Sequence, residues 1–235
     1  MALSTEGWIE RMRSAAPNPH PVLLRLAGTR PVAGERDNPR IRLALCGDLP
    51  VALHFGSTST DRRPVTVAKA FAGRSDWQLL LVGEMAEVLA DPALEGTTWA
   101  VPPVAIGGIV SDEIRSLAFF AADLVILSFR PGFDRNSGTL MDAISFGKPV
   151  IVSGPSYPAD LVTELGIGVV YASEDPHELG KALDALTLTT TSGALADARQ
   201  RFSNSAIAQA HYELLVDLAQ DNEDAIGQWL TTVRP

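Results

Sequence analysis

Apolar and polar residues follow two regimes along this chain, and the change comes near residue 40. Beyond it, short apolar runs recur between stretches of helical spacing. Residues 40–46 and 51–55 read as strands, and 65–72 carries apolar positions at helical spacing. The run Trp77-Gln78-Leu79-Leu80-Leu81-Val82 is short, apolar and ended by Gly83, which predicts a buried strand. Residues 84–90 follow as a helix and 104–109 as a weak strand. A helix over 111–121 starts at Ser111 as its cap, with Glu113 close behind. A strand at 124–127 leads to a helix over 138–146, stopped by Gly147. Strands at 149–152 and 169–171 alternate with helices at 159–165 and 176–186. Such alternation predicts a doubly wound, Rossmann-like α/β fold, a parallel sheet with helices on both faces. Ligands of such sheets bind beyond the carboxyl ends of the strands, so the turns that follow strands are where chemistry is sought.

The flanks differ. Residues 5–15 read as an amphipathic helix with Trp8, Ile9 and Met12 on one face and Ser4 or Thr5 as cap. Pro17, Pro19, Pro21, Pro31 and Pro39 then make 16–39 an extended connector, with a short strand at 22–26. Past residue 190 the strand pattern stops, and 194–201, 206–219 and 224–233 read as helices. The stripe Ile207, Ala210, Leu214, Leu215 and Leu218 reads as a packing face. The expected organisation is an N-terminal helix and proline-rich connector (1–39), a Rossmann-like domain (40–220) and a helical tail (221–235).

A net charge of −9 argues against sequence-independent nucleic-acid binding, which runs on phosphate neutralisation. It leaves room for a local basic pocket, and Arg62-Arg63 is the one adjacent basic pair. No run approaches the roughly 18 apolar residues of a membrane span. Glu6, Glu10, Arg11 and Arg13 break up the first twenty residues, so no secretory leader is expected and the cytoplasm is the expected compartment. The single cysteine, Cys46, rules out an intrachain disulfide and reads as a buried apolar filler. His20, His54, His177 and His211 lack metal-ligand spacing, so no metal site is expected. His54 lies in the strand before a candidate turn and reads as a packing or hydrogen-bonding residue. The chain has no Walker-type Gly-Lys-Ser/Thr and no Gly-x-Gly-x-x-Gly after a strand, which lowers the odds for an ATPase or a dehydrogenase.

The most informative stretch is 128–152: a strand end, a polar turn, a helix and another strand. Asn136, Ser137, Gly138 and Thr139 stand where that helix begins. A helix start offers unpaired N–H groups and the positive end of the dipole, a ready site for phosphate. Gly138 allows close backbone approach, and Ser137 and Thr139 add hydroxyls. The same residues also fit a plain N-cap at Ser137 or Asn136. Asp134 and Asp142, eight residues apart, can face one cleft from two sides, or serve as a solvated loop charge and a helix-dipole partner.

This stretch resembles the signature of family 4-like retaining glycosyltransferases of the GT-B fold, and specifically their C-terminal nucleotide-sugar-binding domain. There, two glutamates separated by seven residues precede Ala, a short gap and Gly-x-Pro-Val. This chain has Asp134, seven residues, Asp142-Ala143, then Gly147-Lys148-Pro149-Val150. Both glutamates are aspartates here, and Arg135-Asn136-Ser137 replaces the Gly-Phe-Gly that follows the family's first glutamate. The family opens this domain with a strand, Gly-Arg, a short loop, Lys-Gly and a helix containing Ala. The counterparts here are the strand end at Gly56, Ser57 in the Arg position, Arg62 in the Lys position, and Ala70-Phe71. Weaker echoes at 77–84, 106–114, 121–129 and 201–215 keep the family's order, so the resemblance spans about residues 50–220.

The resemblance implies roles. Asp134 contacts the donor sugar and Asp142 the ribose. Arg62 and the helix start Asn136-Ser137-Gly138-Thr139 hold the diphosphate, with Gly56 and Ser57 in the turn beneath it. Catalysis falls to Arg62 and Asp134, through stabilisation of the departing diphosphate. No cofactor or metal is implied beyond the nucleoside-diphosphate sugar, which is the donor substrate. The match begins where the family's second domain begins, so three arrangements stay open: a half-enzyme whose acceptor half comes from a partner protein or a second copy, a fragment of a longer enzyme, and a domain repurposed for binding. The helices beyond residue 200 and the connector at 16–39 form the expected contact surface. Three readings stay open: a glycosyltransferase component, a non-catalytic module that binds a partner protein or a nucleotide sugar, and an unrelated doubly wound protein.

Overall fold

The computed structural model describes residues 38–186, 192–213 and 216. The expected helices at 5–15 and 224–233, the strand at 22–26 and the connector lie outside these residues. Six parallel strands form one sheet: β1 (Val51–Phe55), β2 (Gln78–Val82), β3 (Val104–Ile106), β4 (Leu124–Leu127), β5 (Val150–Gly154) and β6 (Gly168–Ala172). Their order is β3-β2-β1-β4-β5-β6. The order reverses between β1 and β4, so the crevice beyond Phe55 and Leu127 is the place where this topology receives a ligand.

The helices are α1 (Pro39–Arg42), α2 (Pro64–Phe71), α3 (Asp112–Ala121), α4 (Gly138–Ser145), α5 (Tyr157–Leu165), α6 (Pro176–Ala185) and α7 (Ser192–Arg201). Residues 204–213 are also helical. Because successive strand side chains point to opposite faces, each strand feeds two cores. Val51, Leu53 and Phe55 pack with Leu117, Leu140, Ile144, Val162 and Leu195 beneath α3, α4, α5 and α7. Ala52, Leu79 and Ile126 pack with Val67 and Phe71 of α2 and Leu179 and Leu183 of α6. Both faces are buried, which is why these strands are near-continuous apolar runs.

The expected caps form: Ser111 Oγ accepts from Ile114 N at 3.3 Å, and Gly147 follows α4 at φ 65°. Three expectations are corrected. Residues 40–46 are not a strand. Asn38 accepts from Arg40 N at 3.0 Å and Pro39 sits at the first helical position, so this segment starts a short helix instead. Leu43 and Leu45 still reach the core, while Cys46 is exposed and not a buried filler. The helix expected at 84–90 forms, as a 3₁₀ helix over Gly83–Ala90. The strand expected over 104–109 closes at Ile106.

Candidate functional site

The site is built where β1 ends. Gly56 takes φ 128° and donates to Val82 O at 3.0 Å, so it stays on the β2 ladder, and its carbonyl accepts from Met85 N at 3.3 Å. Gly83 lies opposite at φ 86°; a β-carbon there would come within 2.6 Å of Gly56 O. Two glycines therefore let the ends of β1 and β2 run close enough to form a floor. Thr58 ties the next loop to this floor, donating from N and Oγ1 to Glu84 Oε2 at 2.9 and 3.0 Å.

A β-carbon on Gly56 would lie 3.6 Å from Thr139 Oγ1 and 4.0 Å from Arg62 Nη2. The fold thus gathers Gly56, Arg62 and Thr139 around one small space at the start of α4. Ser137 is the N-cap of α4: its Oγ accepts from Leu140 N at 3.2 Å, and the residue is buried. Gly138 is exposed, and nothing stands within 4 Å of where its β-carbon would be, so the helix start is approachable. Ser57, Asp134 and Asn136 are exposed on the flanking loops, whereas Asp142 is buried on α4.

Arg62 is held unusually. Its backbone bridges Phe129 after β4, and its Cζ lies 4.4 Å from the centre of the Phe129 ring. Nη1 is buried without a hydrogen-bond partner among the described residues. Burial pushes the guanidinium down to about 10, against the opposing pull of Asp61, so it remains charged at neutral pH. A buried charged donor without an acceptor costs more than an ordinary lost hydrogen bond. An oxyanion in the space beside it would relieve that cost.

His54, in β1, is fully buried, with Nε2 3.0 Å from Ser128 Oγ. Desolvation first, and the Arg62 charge second, push its pKa down to about 3. The imidazole is therefore neutral in the folded protein and protonated below about 6.5 in the unfolded chain. The unfolded state binds the extra proton, so His54 contributes stability that is complete above pH 6.5 and declines toward pH 3. Denaturant titrations between pH 7 and 4 are expected to show this slope, up to about 1.4 kcal/mol per pH unit from one group. His54→Gln, neutral throughout, is expected to lack that part of the slope; an unchanged slope would mean the ring protonates in place.

A further cluster has no sequence-local signature. Asp61 accepts from Arg130 Nε at 2.5 Å and from Arg135 Nη2, which joins the loop after β1 to the loop after β4. These ion pairs hold the Asp61 carboxyl below the usual range, with the Arg130 hydrogen bond as the largest cause. Arg63 pairs in turn with Glu174, which fastens the same loop to the turn after β6.

Among solved structures, a sucrose-phosphate synthase from Thermosynechococcus elongatus matches 94% of this chain and 58% of its own, with a TM-score of 0.70 at 19% identity. HepE of Anabaena, in complex with UDP-glucose, matches 92% of this chain and 63% of its own, with a TM-score of 0.66 at 21% identity. WaaG, a glycosyltransferase involved in lipopolysaccharide biosynthesis, matches with a TM-score of 0.60 at 18% identity, over 89% and 60% of the two chains. The fold is that of the GT-B glycosyltransferases. The chain spans less than two thirds of the length of these structures. No family model and no curated protein matches the sequence. Among the described residues, no helix is long and apolar enough to cross a membrane.

Proposed function

We propose that this chain binds the diphosphate of a nucleoside-diphosphate sugar at the end of β1 and serves glycosyl transfer from it. The observation that carries this reading is the buried Arg62 guanidinium, whose Nη1 has no hydrogen-bond partner among the described residues and whose Nη2 lies 4.0 Å from where a β-carbon on Gly56 would stand, beside Thr139 at the start of α4. A guanidinium, a hydroxyl and a helix N-terminus converge where a doubly wound sheet takes its ligand. The structural likeness to HepE, which is seen with UDP-glucose, supports the same assignment. In this reading the charge on the departing diphosphate is met by Arg62 and the helix start, and the donor is a substrate with no further cofactor. Asp134, exposed on the loop before α4, contacts the sugar; Asp142 serves the ribose; Ser57, Asn136, Ser137 and Gly138 line the phosphate turn.

A thermal-shift titration with UDP, GDP, dTDP and ADP and their sugars tests the pocket, since a ligand specific for the folded state raises the melting temperature. One nucleotide is expected to do so. Asp134→Ala is expected to keep nucleoside-diphosphate binding and to lose release of nucleoside diphosphate from the sugar donor. Release that survives in this variant would remove Asp134 from the chemistry.

A further inference from the structure

The loop that carries Asp134 is cationic in a chain whose net charge is −9. Arg130 and Arg135 share one carboxylate, Asp61, and the next residue in sequence is Arg62. Neither loop arginine is saturated by this arrangement. The Arg135 side chain is 67% exposed and that of Arg130 is 45% exposed. Arg135 uses Nη2 alone, and Arg130 adds only a 3.4 Å contact from Nη1 to Pro131 O, among the described residues. Nε and Nη1 of Arg135 make no hydrogen bond among the described residues, while Asp61 holds Nη2.

Arg135 is nevertheless fixed in place. Its Cζ lies 5.2 Å from the centre of the Phe133 ring. Phe133 stacks on Phe129 at 4.2 Å with the rings 9° from parallel, and Arg62 lies over Phe129. One aromatic pair therefore carries a guanidinium on each ring. Arg62 is the inner one, at the proposed diphosphate pocket, and Arg135 is the outer one, next to Asp134. Two pre-positioned cations, one on each ring of a stacked pair, match a ligand with two separated anionic groups better than a ligand with one.

We propose that Arg135, assisted by Arg130, recognises a carboxylate on the donor sugar, so that the donor is a nucleoside diphosphate linked to an acidic sugar of the hexuronate class. This rests on the reading of Arg62 as the diphosphate ligand. A planar guanidinium donates two parallel hydrogen bonds to a carboxylate, from Nη2 together with Nε or Nη1, and the second Nη2 hydrogen of Arg135 is left for that geometry while the first serves Asp61. Because the group is already exposed, binding costs it little desolvation. A neutral hexose would leave those donors in water and gain nothing from them. Lysine cannot reproduce the two-point contact, which makes Arg135→Lys an informative variant.

The test is calorimetric titration of the full chain with nucleoside diphosphate, nucleotide hexose and nucleotide hexuronate, in the uridine, guanosine, adenosine and thymidine series. In the series that binds, the hexuronate is expected to bind roughly tenfold or more tightly than the matching hexose. Arg135→Ala is expected to erase that difference and Arg135→Lys to restore only part of it. Equal affinity for hexose and hexuronate, with the diphosphate still bound through Arg62, would overturn the acidic-sugar proposal. Arg130 and Arg135 would then be a loop clamp on Asp61, and the proposed function would stand. No binding by any nucleoside diphosphate would overturn both.

Discussion

Arg62→Met is expected to weaken nucleoside-diphosphate binding at least tenfold and to leave the melting temperature of the ligand-free protein unchanged or higher. The two halves of this result come from one feature, the unpartnered guanidinium nitrogen in a buried position. In the free protein that charge is a liability, because its desolvation is not repaid by an acceptor. Methionine keeps a flexible stem of similar reach over the Phe129 ring, and its sulfur packs well on aromatics. With ligand present the balance inverts. Charge-assisted hydrogen bonds contribute about 1.5–3 kcal/mol each, so losing one or two weakens Kd by roughly 10- to 10,000-fold. Differential scanning with and without the nucleotide reads both quantities. A melting temperature lowered by many degrees with nucleotide binding intact would make Arg62 a strut that holds the loop after β1 onto Phe129.

The order of strands and helices was legible because the sheet is parallel and buried on both faces. Leu79, Leu80 and Leu81 face alternate cores yet are all apolar, so β2 stands out as a run in the sequence. Residues 40–46 misled for a local reason. Ile41 and Leu43 alternate with Arg40 and Arg42 ahead of an apolar Ala44-Leu45, but Asn38 and Pro39 nucleate a helix, and Ile41 is left 76% exposed. In the site, Gly56, Arg62 and Thr139 were legible from turn position and from a resemblance in spacing, and the fold brings them together. The cluster of Asp61, Arg130 and Arg135 was not. Its members lie 69 and 74 residues apart and meet only because β1 and β4 are neighbours in the sheet. The same holds for the stacking of Arg62 on Phe129 and for the unpaired nitrogens of His54 and Arg62, which are properties of burial and not of any motif.

In the sequence Gly83 merely ends a strand, and in the fold it decides how closely β1 and β2 can finish. The parallel register pairs Phe55 with Val82, which sets Gly56 beside Gly83. Gly83→Ala carries two costs. At φ 86° an alanine is strained by about 1–2 kcal/mol. Its β-carbon would also stand 2.6 Å from the Gly56 carbonyl oxygen, a backbone atom with no rotamer to escape into, so the strand ends must part at a further 1–3 kcal/mol or so. The sum lowers the melting temperature by roughly 10 °C for a domain of this size. Gly73→Ala is the matched control, with φ 78° and nothing within 4 Å of its β-carbon, and should show the conformational strain alone. The difference between the two variants measures the contact between the strand ends. Gly83→Ala is also expected to weaken nucleoside-diphosphate binding at temperatures where it remains folded, because the displaced peptide is the one that fronts Arg62 and Thr139. Gly73→Ala has no route to that effect. Equal losses of melting temperature in the two variants, with binding preserved in both, would mean that the strand ends part freely and that the floor of the pocket does not depend on their closeness.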